Sequence, residues 1–446
     1  MDQLSSHRWT CALLGSLVLL TAVCSTGIAV VAWLQLRPGR GRTTTVDRIA
    51  YVGAAGNIYT IDRQGGNRLA LTDDAQIPTG SEGRLYRFPT WSPDSRWIAF
   101  VGIQASEGRP QTNTLYSAPA AGGEFLRLFS SQESAPFYLY WSPDARRLAF
   151  LASEDGGLSL RLASLDGQTQ LLDTGAPFYF TWSPDSETLI THVGGALPAG
   201  RIGRLTIGAN QSEILLERPA LFLAPAWSPT DDAVLFAAEL DEAGPALYLA
   251  DGRGEPQRPL IRYDGAVSFL WSPQGDRVAY IVTSQPLPSG LGQFAFGRIQ
   301  VMDRAGGTPG TVSTEDAVAL FWAPDGRKIA YLTIPTPERP QRQGGLTPAS
   351  TALQTRGFRL QWRVVDLRND EDRALATFVP APGFLSLIPF FDQYAQSLTL
   401  WSPDSTALAY SARGADGADG IWVVDVDGRT PPQRITNGDS PVWSWK

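Results

Sequence analysis

Phe137-Tyr138-Leu139-Tyr140-Trp141-Ser142-Pro143-Asp144, followed after a short gap by Leu148-Ala149-Phe150, is the stretch whose reading decides the fold. The aromatic run ending at Trp141 reads as a buried strand. Ser-Pro-Asp reads as a type I turn, with serine in the first position and proline fixing φ in the second. Leu148-Ala149-Phe150 is then the returning strand of a hairpin. The phrase is complete again at Trp91 to Asp94, Trp182 to Asp185 and Trp401 to Asp404. It is degenerate at Trp227 to Thr230, Trp271 to Gln274 and Trp322 to Asp325, and truncated at Trp443-Ser444-Trp445. Successive tryptophans lie 50, 41, 45, 44, 51, 79 and 42 residues apart. Most of these intervals suit a unit of roughly 40 to 50 residues, the length of one four-stranded propeller blade.

Each repeat supplies two further strands. A third recurs at Ile58 to Asp62, Leu247 to Asp251, Ile299 to Asp303, Val364 to Asp366 and Ile421 to Asp425, often closing on a glycine turn such as Gly65-Gly66 or Gly306-Gly307. A fourth, more polar strand includes Arg68 to Thr72 and Arg434 to Thr436. The first repeat opens at Arg48-Ile49-Ala50-Tyr51 without a Trp-Ser-Pro-Asp phrase before it, and the chain ends on Pro441-Val442-Trp443-Ser444-Trp445-Lys446. Joined, the two halves complete one blade and remove the exposed edges of an open array. The expectation is an all-β, eight-bladed β-propeller closed by pairing of the N- and C-terminal strands. The interval from Trp322 to Trp401 is read as one blade with insertions.

These repeats resemble the TolB-like propeller repeat, also called the WD40-like or PD40 repeat. Its consensus runs approximately Trp-Ser-Pro-Asp-Gly, Ile-Ala-Tyr, Ile-Tyr-Val-Met-Asp, a double glycine and Leu-Thr. The resemblance covers about residues 48 to 446. It is similar in kind to the propellers of prolyl oligopeptidase and dipeptidyl peptidase IV relatives and of some polysaccharide lyases. That range of activities separates fold from function.

From Trp9 to Leu36 the chain has no charged residue, and Cys11 to Leu34 is mostly Leu, Val, Ala and Ile. About 20 such residues suffice to cross a bilayer. The domain reading is a tail and single N-terminal transmembrane helix at 1–36, a linker at 37–47 and the propeller at 48–446. A cleaved signal peptide ending near Ala22-Val23-Cys24 is the competing reading. Arg37, Arg40 and Arg42 against Arg8 argue for a cytoplasmic propeller, while the resemblance implies an extracytoplasmic one, the expectation adopted. Because the tether enters at Arg48, on the tight-turn side of the ring, the loop-rich face is expected to point away from the membrane. The whole chain carries a net charge of −7; the first 42 residues account for +3, leaving −10 for the rest. Without a basic stripe, nucleic acid is not an expected partner. The ring is expected to be monomeric.

Catalytic motifs are scarce. The two histidines are His7 and His192, and no Gly-x-Ser-x-Gly elbow occurs, so a Ser-His-Asp mechanism lacks its parts. Cys11 and Cys24 both lie in the apolar stretch, and no cysteine or histidine cluster suits zinc. Asp425-x-Asp427-Gly428 and Asp416-Gly417-Ala418-Asp419-Gly420 do not continue into an acidic calcium loop. No Gly-Lys pair marks a phosphate loop. The expectation is no enzyme and no cofactor, with a carboxylate-only site across blades left open.

Function on a repeat scaffold usually sits in its long connections. These are Asp73 to Phe88, Gln104 to Asn113, Ser284 to Gly297, Ile334 to Gly357 and Pro380 to Ser397, all on the face opposite the Ser-Pro-Asp turns. Candidate binding residues are Arg339, Arg342, Arg356, Phe384, Phe390, Phe391 and Tyr394. The run from Phe384 to Tyr394 is unusually apolar for a loop, and a plug folded over the channel competes with a partner-binding patch. The functional expectation is a membrane-anchored, non-catalytic propeller presenting this face to a protein or glycan at the cell envelope. The alternatives are a polysaccharide lyase or hydrolase, or a regulatory propeller of a separate peptidase.

Overall fold

The computed structural model describes residues 46–79, 82–194, 200–208, 213–216, 219, 223–283, 295–335 and 358–446. Within each repeat the local chemistry of the tight turn explains its residues. The N–H of Ser95 donates to the Ser92 carbonyl at 2.8 Å, closing the turn, and the same bond recurs at Ala145, Ser186, Gly275, Gly326 and Ser405. The turn serine is a hub: in the Trp141 repeat, Ser142 Oγ donates to Asp144 Oδ1 at 2.6 Å and accepts the Arg147 N–H at 3.0 Å. Asp144 Oδ1 in turn accepts the Arg146 N–H at 3.0 Å. Buried backbone donors at the start of the second strand are satisfied in this way, which is why serine and aspartate hold those two places.

The tryptophans lock neighbouring repeats together. Trp141 Nε1 donates to the Thr90 carbonyl, Trp182 to Tyr140, Trp271 to Ala226, Trp322 to Leu270, Trp401 to Phe321 and Trp91 to Val442, at 3.0–3.4 Å. Every acceptor is the residue just before the preceding repeat's tryptophan. A single side chain therefore packs between sheets and bonds the preceding one, a direct consequence of Trp ending the inner strand. Trp227 departs from the rule. Its indole nitrogen is buried without a partner, and its inner strand, Ala226–Trp227, is two residues long.

The sheets stand around a channel, and their number corrects the expectation. Among the described residues there are seven sheets, not eight: five of four strands, one of five and one of six. The C-terminal strand Gln433–Trp443 was expected to divide between two blades. It runs through as one strand of 11 residues, pairing Asp419–Asp425 with its first half and Ile49–Gly53 with its second. The two half-sites consequently merge into one six-stranded sheet. The two pairings abut, Asn437 opposite Gly420 and Gly438 opposite Gly53, which leaves no residues to turn into a separate blade. Gly438, at φ +151, makes the passage possible, since a Cβ there would collide with the Val52 carbonyl oxygen. The ends of the ring pair as Ile49 with Trp443 and Ala50 with Val442.

Two expected insertions are extended structure. Trp97–Ser106 and Arg109–Pro119 are one long hairpin, and Gln76–Thr79 adds a fifth strand beside Glu82–Trp91. The expected transmembrane helix does not stand as part of the described fold: no described helix is long and apolar enough to cross a membrane, and the stretch at 1–36 lies outside the described residues. The interval after Trp322 forms one sheet, Ala319–Trp322, Lys328–Thr333, Leu360–Asp366 and Glu371–Phe378, and then leaves it.

Candidate functional site

On leaving that sheet at Phe378, the chain enters the channel. Two short helices, α1 (Pro382–Leu387) and α2 (Phe391–Ser397), flank a 3₁₀ turn at Ile388–Phe390. Pro382 sits in the first turn of α1, where a missing N–H costs nothing, and Pro389 ends it because it cannot donate back into the helix. Helices this short are held by packing rather than propensity. Phe384 is fully buried against Trp362 and Phe378, with ring centroids 6.1 and 6.0 Å away, and Phe391 packs on Phe321 at 6.2 Å.

Polar bolts fix the plug to the wall. The Gln393 side chain donates to Tyr138 Oη at 2.6 Å and to the Phe180 carbonyl at 2.8 Å, and accepts the Phe180 N–H at 3.1 Å. Tyr138 Oη donates to the Gln393 carbonyl at 2.9 Å. Gln396 Nε2 donates to the Pro225 carbonyl at 3.1 Å, and the Gly383 N–H donates to Asp439 Oδ2 at 3.1 Å. These partners belong to different sheets, so the segment spans the channel.

Two titratable groups are buried nearby. Asp392 is 4 % exposed, and burial pushes its carboxyl up to about 7 even though the N–H groups of Gln393 and Ala224 oppose the shift. His192 Nδ1 lies 2.8 Å from the Leu223 carbonyl, and burial lowers the imidazole to about 4, leaving it neutral at pH 7. His192 thus has the environment of a strand residue packed into the wall.

Between α2 and the Ser-Pro-Asp turns lies a half-open cavity of about 460 Å³. Its wall is the repeat tryptophans from Trp91 to Trp401 together with Trp445, and its mouth carries the seven turn prolines from Pro93 to Pro403. Ala395, Leu398 and Leu400 form much of its floor. No charged side chain lines it. The indole latches occupy the polar groups of the wall: the carbonyls of Tyr140, Ala226, Leu270 and Phe321 already accept a tryptophan N–H. Such a cup can take up an apolar group without orphaning a donor or acceptor.

The candidate residues from the sequence separate. Phe384 and Phe391 are in the plug's buried side, Tyr394 is half-buried against Tyr138, and Phe390 is 40 % exposed, edge-on to Tyr179. Arg339, Arg342 and Arg356 lie outside the described residues. Sequence reasoning missed the cup. Its signal was the proline of every turn, which a ring necessarily brings to one rim.

Comparison with known proteins agrees with the repeat chemistry. Over 68 residues the chain is 40% identical to the Tol-Pal system protein TolB of Alcanivorax borkumensis. The chain resembles the TolB-like propellers. That match takes in 15% of this chain and 14% of the relative's length. Among solved structures, an oligogalacturonate lyase in complex with manganese aligns at TM-score 0.50 and 14% identity, over 84% of this chain and 95% of the lyase. TolB from Acinetobacter baumannii aligns at TM-score 0.40 and 14% identity, over 87% of this chain and 78% of that one. At these identities the likeness to solved structures is one of fold. No family model matches the chain. Among the described residues no three His, Cys, Asp or Glu side chains gather in a way that would hold a metal ion.

Proposed function

We propose that the protein is a non-catalytic binding propeller that takes an apolar part of its partner into the cup at the tight-turn end of the channel. The observation that carries this reading is the uncharged, half-open cavity of about 460 Å³ ringed by tryptophan and proline. Exposed, concave apolar surface of this kind marks interaction sites. It favours a partner's apolar group over a glycan, because sugar hydroxyls would meet a wall whose indole N–H groups are, Trp227 apart, already donated. On the resemblance to TolB-like repeats, the same reading places the propeller outside the cytoplasm, and protease shaving of intact cells should remove it.

The test is to fill the cup. In the full chain, Ala395→Trp should abolish capture of the partners that the wild-type protein retains from its own cells, with the melting temperature little changed. Retention of the same partners by this variant would move the docking surface elsewhere on the ring. Neither protein should cleave acidic oligosaccharides, with or without EDTA.

A further inference from the structure

The cup's chemistry narrows its ligand, and this narrowing rests on the docking reading above. We propose that the cup holds an aliphatic acyl chain, with the chain's polar end left at the proline-ringed mouth. Three features point to this class. First, no lining side chain is charged. Second, Trp227 apart, the wall's indole hydrogen bonds are internal. Six repeat tryptophans donate to the carbonyls beside the neighbouring tryptophans, and Trp445 Nε1 donates to the Trp91 carbonyl at 3.4 Å. On the floor, Gln396 Nε2 is spent on the Pro225 and Asp392 carbonyls, and Ser397 Oγ on the Tyr394 carbonyl. Third, prolines at the mouth offer no N–H of their own.

A peptide entering this space would bring one N–H and one carbonyl per residue and find few partners for them, each orphaned group weakening binding. An alkyl chain brings none. Its gain is area removed from water, roughly 0.8 kcal/mol per buried methylene. The cup is closed at its inner end by α2 and by Leu398 and Leu400, so the gain must stop once the chain reaches the floor.

Saturated fatty acids of 8 to 18 carbons, titrated into the full chain by calorimetry, test this. One site per chain is expected, with affinity rising about fourfold per added methylene and then levelling at the length that reaches α2. Ala395→Trp should shorten the plateau or abolish binding while circular dichroism and melting stay at wild type. If that variant fails to fold, Leu398→Gln, close in volume, should weaken the longest bound chain at least tenfold. Affinity that climbs without levelling and is identical in the variants is partition into other apolar parts of the chain and overturns the proposal. So does displacement of a bound chain by an uncharged aliphatic peptide at lower concentration. If Ala395→Trp loses its partners and no fatty acid binds, docking at the cup stands and the acyl ligand falls.

Discussion

The two ends of the channel are built on opposite plans. At the tight-turn end the same unit is laid down repeatedly: a tryptophan that latches its neighbour and a serine-aspartate turn that satisfies the strand behind it. At the other end a single non-repeated segment, α1 and α2, is threaded into the ring and bolted through Gln393. The repeated end spreads its stability over many equivalent bonds, each of which joins two sheets of the ring. The plug concentrates its hold in a few buried side chains with no second copy. The difference teaches where the molecule is robust and where it can be released.

The largest effect should come from breaking one latch. Trp141 is 2 % exposed, and Trp141→Ala should lower global stability by about 4 kcal/mol, the usual range for emptying an aromatic site, as measured by urea unfolding. A loss under about 1 kcal/mol would mean that the inter-sheet contacts are carried by something other than the tryptophans. Removing the plug's bolt should cost slightly less and act locally. Gln393→Leu strands both backbone groups of Phe180 and leaves Tyr138 Oη only its bond to the carbonyl of residue 393, an expected loss of about 3 kcal/mol. Limited proteolysis should then cut within 382–397 before the ring unfolds; first cuts in the sheets would show that the plug is not a separable element.

The ends should also answer pH in opposite directions. At the plug, Asp392 is raised in the folded state to about 7 from the ordinary 3.8. The folded protein binds the proton more tightly than the unfolded chain, so this contribution is complete below about pH 4 and is lost as pH rises toward 7. Asp392→Asn should remove that decline, a difference on the order of 4 kcal/mol at pH 8, read from melting curves against pH. At the turns, burial pushes Asp404 up, but hydrogen bonds from Ser402, Thr406 and Arg63 outweigh it and hold the carboxyl at about 2. Its contribution is present above about pH 4 and lost as pH falls toward 2. Parallel pH profiles for Asp392→Asn and Asp404→Asn would erase the contrast between the ends.

The smallest expected effect is a gain. Ala323 stands where other turns have serine, yet its turn is closed in the same way, with the Gly326 N–H on the Ala323 carbonyl at 2.8 Å. Ala323→Ser should rebuild the hub toward Asp325 and the second strand and add about 0.5–1 kcal/mol. A destabilised variant would show that the buried site has no room for the hydroxyl.

Much of the repeated end was legible from residues alone. Ser142, Pro143 and Asp144 specify a turn through contacts within a few positions, and the Ile-Ala-Tyr strands pair with their nearest neighbours in the chain, so spacing was enough to find them. The plug was harder. Phe384 to Tyr394 announced an apolar segment, but whether it lay in the channel or on the surface depended on Tyr138 and Phe180, more than 200 positions away in the chain. Gln393 gave no signal, because a lone glutamine is ordinary until its partners are known. The cup was hidden for the same reason. Each tryptophan and proline was read as belonging to its own hairpin, and their convergence is a property of the ring.

By itself the sequence determined the strand-turn-strand unit, its recurrence and the closing of the circle, because these are set by local turn geometry and by apolar faces that must be buried. Only the tertiary structure decided how many sheets result, since that turned on whether the strand bends away at Gly438 or runs straight on beside Gly53 and Val52. It alone decided too which end of the channel is stoppered and which is open, because that depends on hydrogen bonds between residues far apart in the chain, whose energies no local pattern encodes.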